Sequence, residues 1–189
     1  MKRFILPAFA ALATALPAAA ETETYTVDPA HTRPTYEVLH FGYSLQRGRF
    51  DKTSGKITLD IAAKKGGADI TIDAASIDSG IPKLDDHLKS EDFLNVAKNP
   101  QITFKSSNFA FDGDNVKSAT GDLTMNGITR PVTLTANIFK CAPHPVTKRK
   151  QCGGDFVTTI KRSDFGMKYA LGPLADEVTL HIPVESIKD

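Results

Sequence analysis

The sequence predicts an all-β domain, a closed or nearly closed antiparallel sheet of about eight strands interrupted once by a short helical segment. Three observations carry this. Apolar residues recur with a period of two along most of the chain, Gly and Asn/Asp signals punctuate the alternating runs, and a single stretch departs to helical spacing. Successive side chains of a strand point to opposite faces, so strict alternation marks a strand with one dry face.

Thr24 to Val27 and Thr35 to Phe41 are the first candidate strands. Ile57, Leu59 and Ile61 then alternate with Thr58 and Asp60, and Ile70, Ile72 and Ala74 with Thr71 and Asp73. Gln101 to Phe111 and Val116 to Met125 follow, and Val132, Leu134, Ala136 and Ile138 alternate with Thr133, Thr135 and Asn137. Asp155 to Arg162 precedes a last run in which Val178, Leu180, Ile182 and Val184 alternate with Thr179, His181 and Pro183. Turn signals stand at Ser54-Gly55, Gly66-Gly67, Asp112-Gly113-Asp114 and Asn126-Gly127. Between Ile81 and Lys98 the apolar positions Leu84, Leu88, Phe93, Leu94 and Val96 fit helical spacing. Pro82 suits a first turn there, and Ser90 before Glu91 and Asp92 resembles an N-cap, so a short helix or helix pair is predicted. Parity assigns to the inner wall Tyr36, Val38, Ile57, Leu59, Ile70, Ile72 and Ile102, with Phe104, Leu123, Met125, Val132, Leu134, Val178 and Leu180. Periodicity leaves two architectures open. Eight strands closed into a barrel give an interior that is filled or holds one slender ligand, whereas in a sandwich the same residues interdigitate.

Of the 189 residues 41% are hydrophobic and 24% charged, an ordinary globular balance. Lys and Arg total 23 against 22 Asp and Glu, with no long single-sign block, so the polyelectrolyte attraction a nucleic-acid binder needs has no source. Lys2 and Arg3 lead an apolar run from Phe4 to Leu16, and Pro17 precedes Ala18, Ala19 and Ala20. This is the pattern of a secretory signal, with cleavage expected after Ala20. The run is 13 residues long, short of the roughly 20 that span a bilayer. One domain is then expected over residues 21–189, nearly neutral and exported.

In an oxidising compartment Cys141 and Cys152, which bound one short loop, are expected to pair. A Cys2His zinc site recruiting His144 is the rival, but no fourth ligand stands at a zinc-like spacing. Neither a Gly-x-Ser-x-Gly elbow, a His-Glu-x-x-His helix nor a glycine-rich phosphate loop occurs, so no catalytic residue, metal or cofactor is assigned. Asp85, Asp86 and His87 read as a charged helix surface, Asp86 capping or pairing locally. His40 shares strand parity with Tyr36 and Val38, which places it inside or at the rim, satisfied by a backbone carbonyl or facing a ligand. Arg162 either meets an anionic head group or is locked by Asp164 in the adjoining turn.

Several longer runs are more specific than any of these. Tyr25 to Thr32, His40-Phe41-Gly42, Arg47 to Phe50 and Ser54 to Ile57 resemble the opening of the YceI-like proteins. The resemblance continues through Ala75 to Gly80, Asp86 to Phe93, Pro100 to Ser106, Gly121 to Gly127 and Lys161 to Met167. Tyr25 stands where an aromatic, often Trp, is usual, and Thr32 replaces a common Ser. The resemblance implies a lipocalin-like antiparallel barrel, exported to the periplasm, with a polyprenyl chain along its apolar interior. The partner implied is a polyprenyl pyrophosphate, a polyprenyl quinone or a similar amphiphile; a homodimer is allowed. Ligand-contacting residues are then expected at Tyr36, Val38, His40, Phe50, Leu88 and Phe93, and at Phe104, Met125, Ile160, Arg162, Phe165 and Met167. The 81–98 stretch is the natural gate.

Overall fold

The computed structural model describes residues 21–189; the leader expected over residues 1–20 lies outside them. The strands are β1 (Glu23–Val27), β2 (Thr35–His40), β3 (Ser44–Phe50), β4 (Thr53–Asp60), β5 (Lys65–Asp73), β6 (Ile77–Asp78), β7 (Gln101–Asp112), β8 (Asn115–Met125), β9 (Ile128–Pro143), β10 (Lys150–Lys161) and β11 (Leu174–Lys188), with one α-helix, α1 (Pro82–Lys89). They form one antiparallel sheet in which β1 also pairs with β11 and closes it. β1 and β2 are halves of one interrupted stave, since both pair with β11. β3 with β4, and β5 with β6, are likewise split staves, β4 pairing with β1 and β5 and β3 with β2 and β6. The barrel is therefore an up-and-down meander of eight staves, the closed alternative to the sandwich.

Two of the three interruptions have a local cause in a side chain. Between β1 and β2 the backbone leaves β11, and the buried Thr32 hydroxyl replaces it, donating to Glu185 O at 3.2 Å and accepting from Glu185 N at 3.0 Å. Either Ser or Thr supplies that hydroxyl. Between β5 and β6 a 3-10 turn, Ala74–Ser76, is capped by Asp73, whose carboxylate accepts from Ala75 N.

The two ends of the barrel differ. At the narrow end Tyr25, Leu59, Val116 and Cys152 form a small buried cluster, and Cys141 is directly opposite Cys152 across β9 and β10 and disulfide-bonded to it. Glu23 accepts from Tyr25, Lys150 and Lys188 there. These partners, with Lys150 the strongest, hold its carboxyl down at about 2, while burial and then Glu23 push the Tyr25 phenol up. The cluster ties β1 to β10 and β11 where the barrel closes. The wide end carries α1, the turns after it, and the β10–β11 connection.

The structure corrects several sequence expectations. Over residues 81–98 the helix is α1 alone. Ser90 is its C-cap, donating to His87 O at 2.7 Å, and does not start a second helix. Ser54-Gly55 and Gly66-Gly67 are not turns but lie within β4 and β5. Gly66 is needed because a Cβ there would lie 2.3 Å from the Phe109 ring. β3 carried no apolar alternation and escaped notice, most of its side chains being solvated. Ile138 points outward, because a bulge in β9 opposite Asp155 and Phe156 reverses the parity set by Leu134 and turns Phe139 inward instead.

Candidate functional site

Two apolar cavities run in series along the barrel axis. The inner one, about 120 Å³, is enclosed by the staves and, among the described residues, carries no charged residue on its wall. The outer one, about 460 Å³, lies at the wide end under α1 and is bounded by residues of β2, β10, β11, α1 with the turn after it, and the β10–β11 connection. Phe50, Met125 and Leu180 border both, so these three side chains form the waist between them. Every residue that parity assigned to the inner wall borders one cavity or the other. Small residues make the inner space: Ala68 and Ala119 stand where larger side chains would fill it.

Most of the polar groups lie in the outer chamber. The Tyr36 ring lies across Gly48 on the paired strand, where a Cβ would come within 2.5 Å of its hydroxyl. Burial, with Asp85 and Asp78 nearby, pushes the Tyr36 phenol up to about 12, so it remains a neutral donor. His40 and Gln46 line the rim. His87 pairs with Asp92 at 3.0 Å and makes edge contacts with the Phe93 and Tyr169 rings, both centroids 5.0 Å away, which pins the lid across the mouth. Asp85 accepts from the Ser79 N–H and hydroxyl and fixes the entry to α1.

Arg162 is the one formally charged residue bordering either cavity among the described residues. It is 3% exposed, and its guanidinium donates to Ala175 O, Met167 O, Tyr169 O and Leu174 O at 2.7–3.1 Å. The expected lock by Asp164 is thus replaced by four carbonyls, two in the β10–β11 connection and two at the start of β11. Asp176, which accepts from the Ser163 N–H and hydroxyl, is the nearby counter-charge that partly offsets the burial depressing the Arg162 pKa. A planar fork with five donors is the side chain able to hold such a loop.

Of the residues expected to contact a ligand, Tyr36, Val38, His40, Leu88, Phe93, Ile160, Arg162 and Met167 border the outer chamber, Phe104 the inner one, and Phe50 and Met125 both. His40 is exposed at the rim, not buried. Phe165 borders neither cavity; it is 1% exposed within the 3-10 turn Arg162–Phe165 and packs in the core. Asp86 is exposed, and Asp85 does the local capping. Sequence reasoning missed Phe109 and Phe139 on the inner wall, both beyond bulges that reverse strand parity. It also missed Thr53, 3% exposed on that wall, whose hydroxyl has no hydrogen-bond partner among the described residues. Outside the cavities, Asp28, His31 and Glu185 bring one ligand atom each within 4.8 Å at the surface. Their bonds to one another and to Gln151 account for them as the tie between the 28–34 loop and β11.

A closed antiparallel barrel of eight staves with an apolar interior opening at one end is the lipocalin-like class of architecture. A YceI-like domain model matches residues 25–186. A UPF0312 protein of Shewanella denitrificans is 36% identical over 197 aligned positions, covering 100% of each chain. The crystal structure of BcnA from Burkholderia cenocepacia superposes with a TM-score of 0.71 at 30% identity, covering 84% of this chain and 98% of that one. A domain from Saccharophagus degradans, described as polyisoprenoid binding and implicated in plant cell wall breakdown, shares the fold at 14% identity with a TM-score of 0.63, covering 87% and 98%. The chain belongs to the YceI-like family.

Proposed function

We propose that the protein is a periplasmic carrier that holds the tail of a polyprenyl lipid, such as a polyprenyl pyrophosphate or polyprenyl quinone, in the two cavities, with its head group at the Tyr36–His40–Gln46 rim. The observation that carries this reading is that the two apolar chambers adjoin, with Phe50, Met125 and Leu180 as their common wall. A tail in water exposes many methylenes, each contributing about 0.8 kcal/mol when buried, and a dry tube of this shape supplies that burial without any catalytic group. The fold shared with a domain described as polyisoprenoid binding agrees with it. Export rests on the leader pattern of residues 1–20, with the mature chain starting at Glu21.

The test is lipid mass spectrometry on protein purified from its native host under non-denaturing conditions. A single retained isoprenoid species supports a dedicated carrier. A mixed population of lipophiles would point to scavenging, and acyl lipids without isoprenoids would sink the reading.

A further inference from the structure

Around the opening of the outer chamber the surface is apolar and solvent-facing: Leu39, Phe41, Tyr43, Leu45, Ile81, Tyr169 and Leu171 are exposed, Tyr43 at 91%. They come from three separate segments that meet at the wide end: the β2–β3 hairpin, the entry to α1, and the β10–β11 connection. Phe41, Ile81 and Tyr169 also border the chamber, so the outer patch and the inner wall are one continuous apolar surface.

The backbone at the tip is chosen against stability. Phe41 and Gly42 have φ of 51° and 75°, and Tyr43 N donates to His40 O. The β8–β9 hairpin uses nearly the same pair of angles, 50° and 73°, with Asn126 and Gly127. Asn-Gly is the sequence such a turn favours, whereas a bulky residue in the left-handed region is disfavoured. Ala170, at φ 48°, repeats the departure in the facing connection. An aromatic ring held outward at the tip by an unfavourable backbone is an outlier that calls for a function.

Charge narrows the occupant. Leu39–Gln46, Ser79–Pro82 and Tyr169–Ala175 contain no Asp, Glu, Lys or Arg, and each run is bordered by a cation: Arg47, Lys83 and Lys168. Lys83 and Lys168 are exposed and make no ion pair with any described residue, while the acids at the other borders, Asp78 and Asp176, are held by Arg49 and Ser163. Protein–protein interfaces are depleted of Lys relative to the rest of the surface. Aromatic and aliphatic side chains flanked by free lysines are instead the composition that lies at a membrane–water boundary.

We propose that this rim docks the barrel mouth onto the headgroup interface of a phospholipid bilayer, with Phe41 and Tyr43 inserted and Lys83 and Lys168 at the phosphates, so that cargo passes between bilayer and chamber without crossing water. The passage of cargo rests on the carrier reading above; the docking does not.

Flotation with phosphatidylethanolamine/phosphatidylglycerol vesicles lacking any isoprenoid therefore reads docking alone. The wild-type protein is expected to float, Phe41→Asn to partition about tenfold less, and Phe41→Trp to retain binding. Phe41→Asn should also raise the melting temperature by about 2 to 4 °C, as a relieved turn does, so loss of flotation with a better fold cannot be blamed on unfolding. Wild-type protein that stays at the bottom of the gradient, or Phe41→Asn that floats equally well, overturns the proposal. So does a dimer that Tyr43→Ser splits in the absence of flotation, which would give the face to a second copy. Flotation by a protein whose native-host preparation holds no isoprenoid supports docking and defeats the carrier reading separately.

Discussion

Met125 stands at the waist, 6% exposed and bordering both cavities, and its replacement by Trp separates a hollow barrel from a filled one. An empty apolar cavity of 120 Å³ costs the lipid-free protein about 3 kcal/mol at about 24 cal/mol per Å³. A larger side chain that enters this space should recover part of that, about 1 kcal/mol, and leave the melting temperature unchanged or about 2 to 4 °C higher. In a solid core the same change would cost about 1 to 3 kcal/mol by overpacking. The ligand suffers the opposite effect. Excluding about four tail carbons from the inner cavity forfeits about 3 kcal/mol at about 0.8 kcal/mol per methylene, on the order of a hundredfold in affinity. Thermal unfolding of delipidated protein is measured beside titration with a polyprenyl quinone and a polyprenyl diphosphate of equal tail length. Unchanged affinity with a melting temperature several degrees lower would show that Met125 belongs to packed core, and the argument from adjoining chambers would fail.

The Glu23 cluster makes stability depend on pH. Its carboxyl is held at about 2, below the ordinary 4.5, so the folded state takes up that proton less readily than the unfolded chain. The contribution is full above about pH 4.5 and is lost as pH falls through about 2. With both lysines more than a third exposed, screening reduces it to about 1 to 2 kcal/mol. Glu23→Gln should therefore show that deficit in denaturant unfolding at pH 7 and converge on the wild type near pH 2. Replacing Cys141 and Cys152 by Ala should cost about 3 kcal/mol in the chain-entropy description of a short closed loop, and the intact mass of exported protein should change on reduction. Arg162→Met strips four carbonyls of their donor at about 1 kcal/mol each; amide exchange should accelerate across residues 167–175 well before the rest of the barrel, and uniform protection there would contradict the assigned role.

Sequence periodicity located the meander and its dry face because alternation survives wherever a strand is regular, and β4, β5 and β8 keep it over the stretch that faces the cavity. It failed at the bulges, where one extra residue in β7 or β9 turns Phe109 and Phe139 inward. It failed also at β3, where Arg47 and Arg49 are tied to Glu37, Asp51 and Asp78 across the sheet's outer face and no apolar rhythm marks the strand. Closure itself had no local signature: the same strands would serve a sandwich, and only the pairing of β1 with β11 distinguishes them. Of the site, the strand-borne walls were legible, as were Leu88 and Phe93 of the 81–98 stretch, but the contacts that hold that stretch across the mouth were not. The contact of His87 with Tyr169 joins segments far apart in the chain, and those of Arg162 with the carbonyls beyond it fall across a connection that carries no apolar period.

That closing seam joins the first stave to the last, Tyr25 facing Lys188 and Val27 facing Ser186. The contact of longest sequence separation is thus also the one that makes an inside. A chain emerging from a ribosome or a translocation pore in N-to-C order builds hairpin after hairpin while the first strand waits, its edge unpaired on the side that β11 will cover. Until the final fifteen residues of β11 arrive there is no enclosed volume, and a chain truncated before them has an open sheet with its apolar face bare. Loop-closure entropy makes that last step slow relative to the hairpins. The cargo space is consequently all-or-none: it exists only in a finished molecule, and the order of synthesis delays its creation to the end.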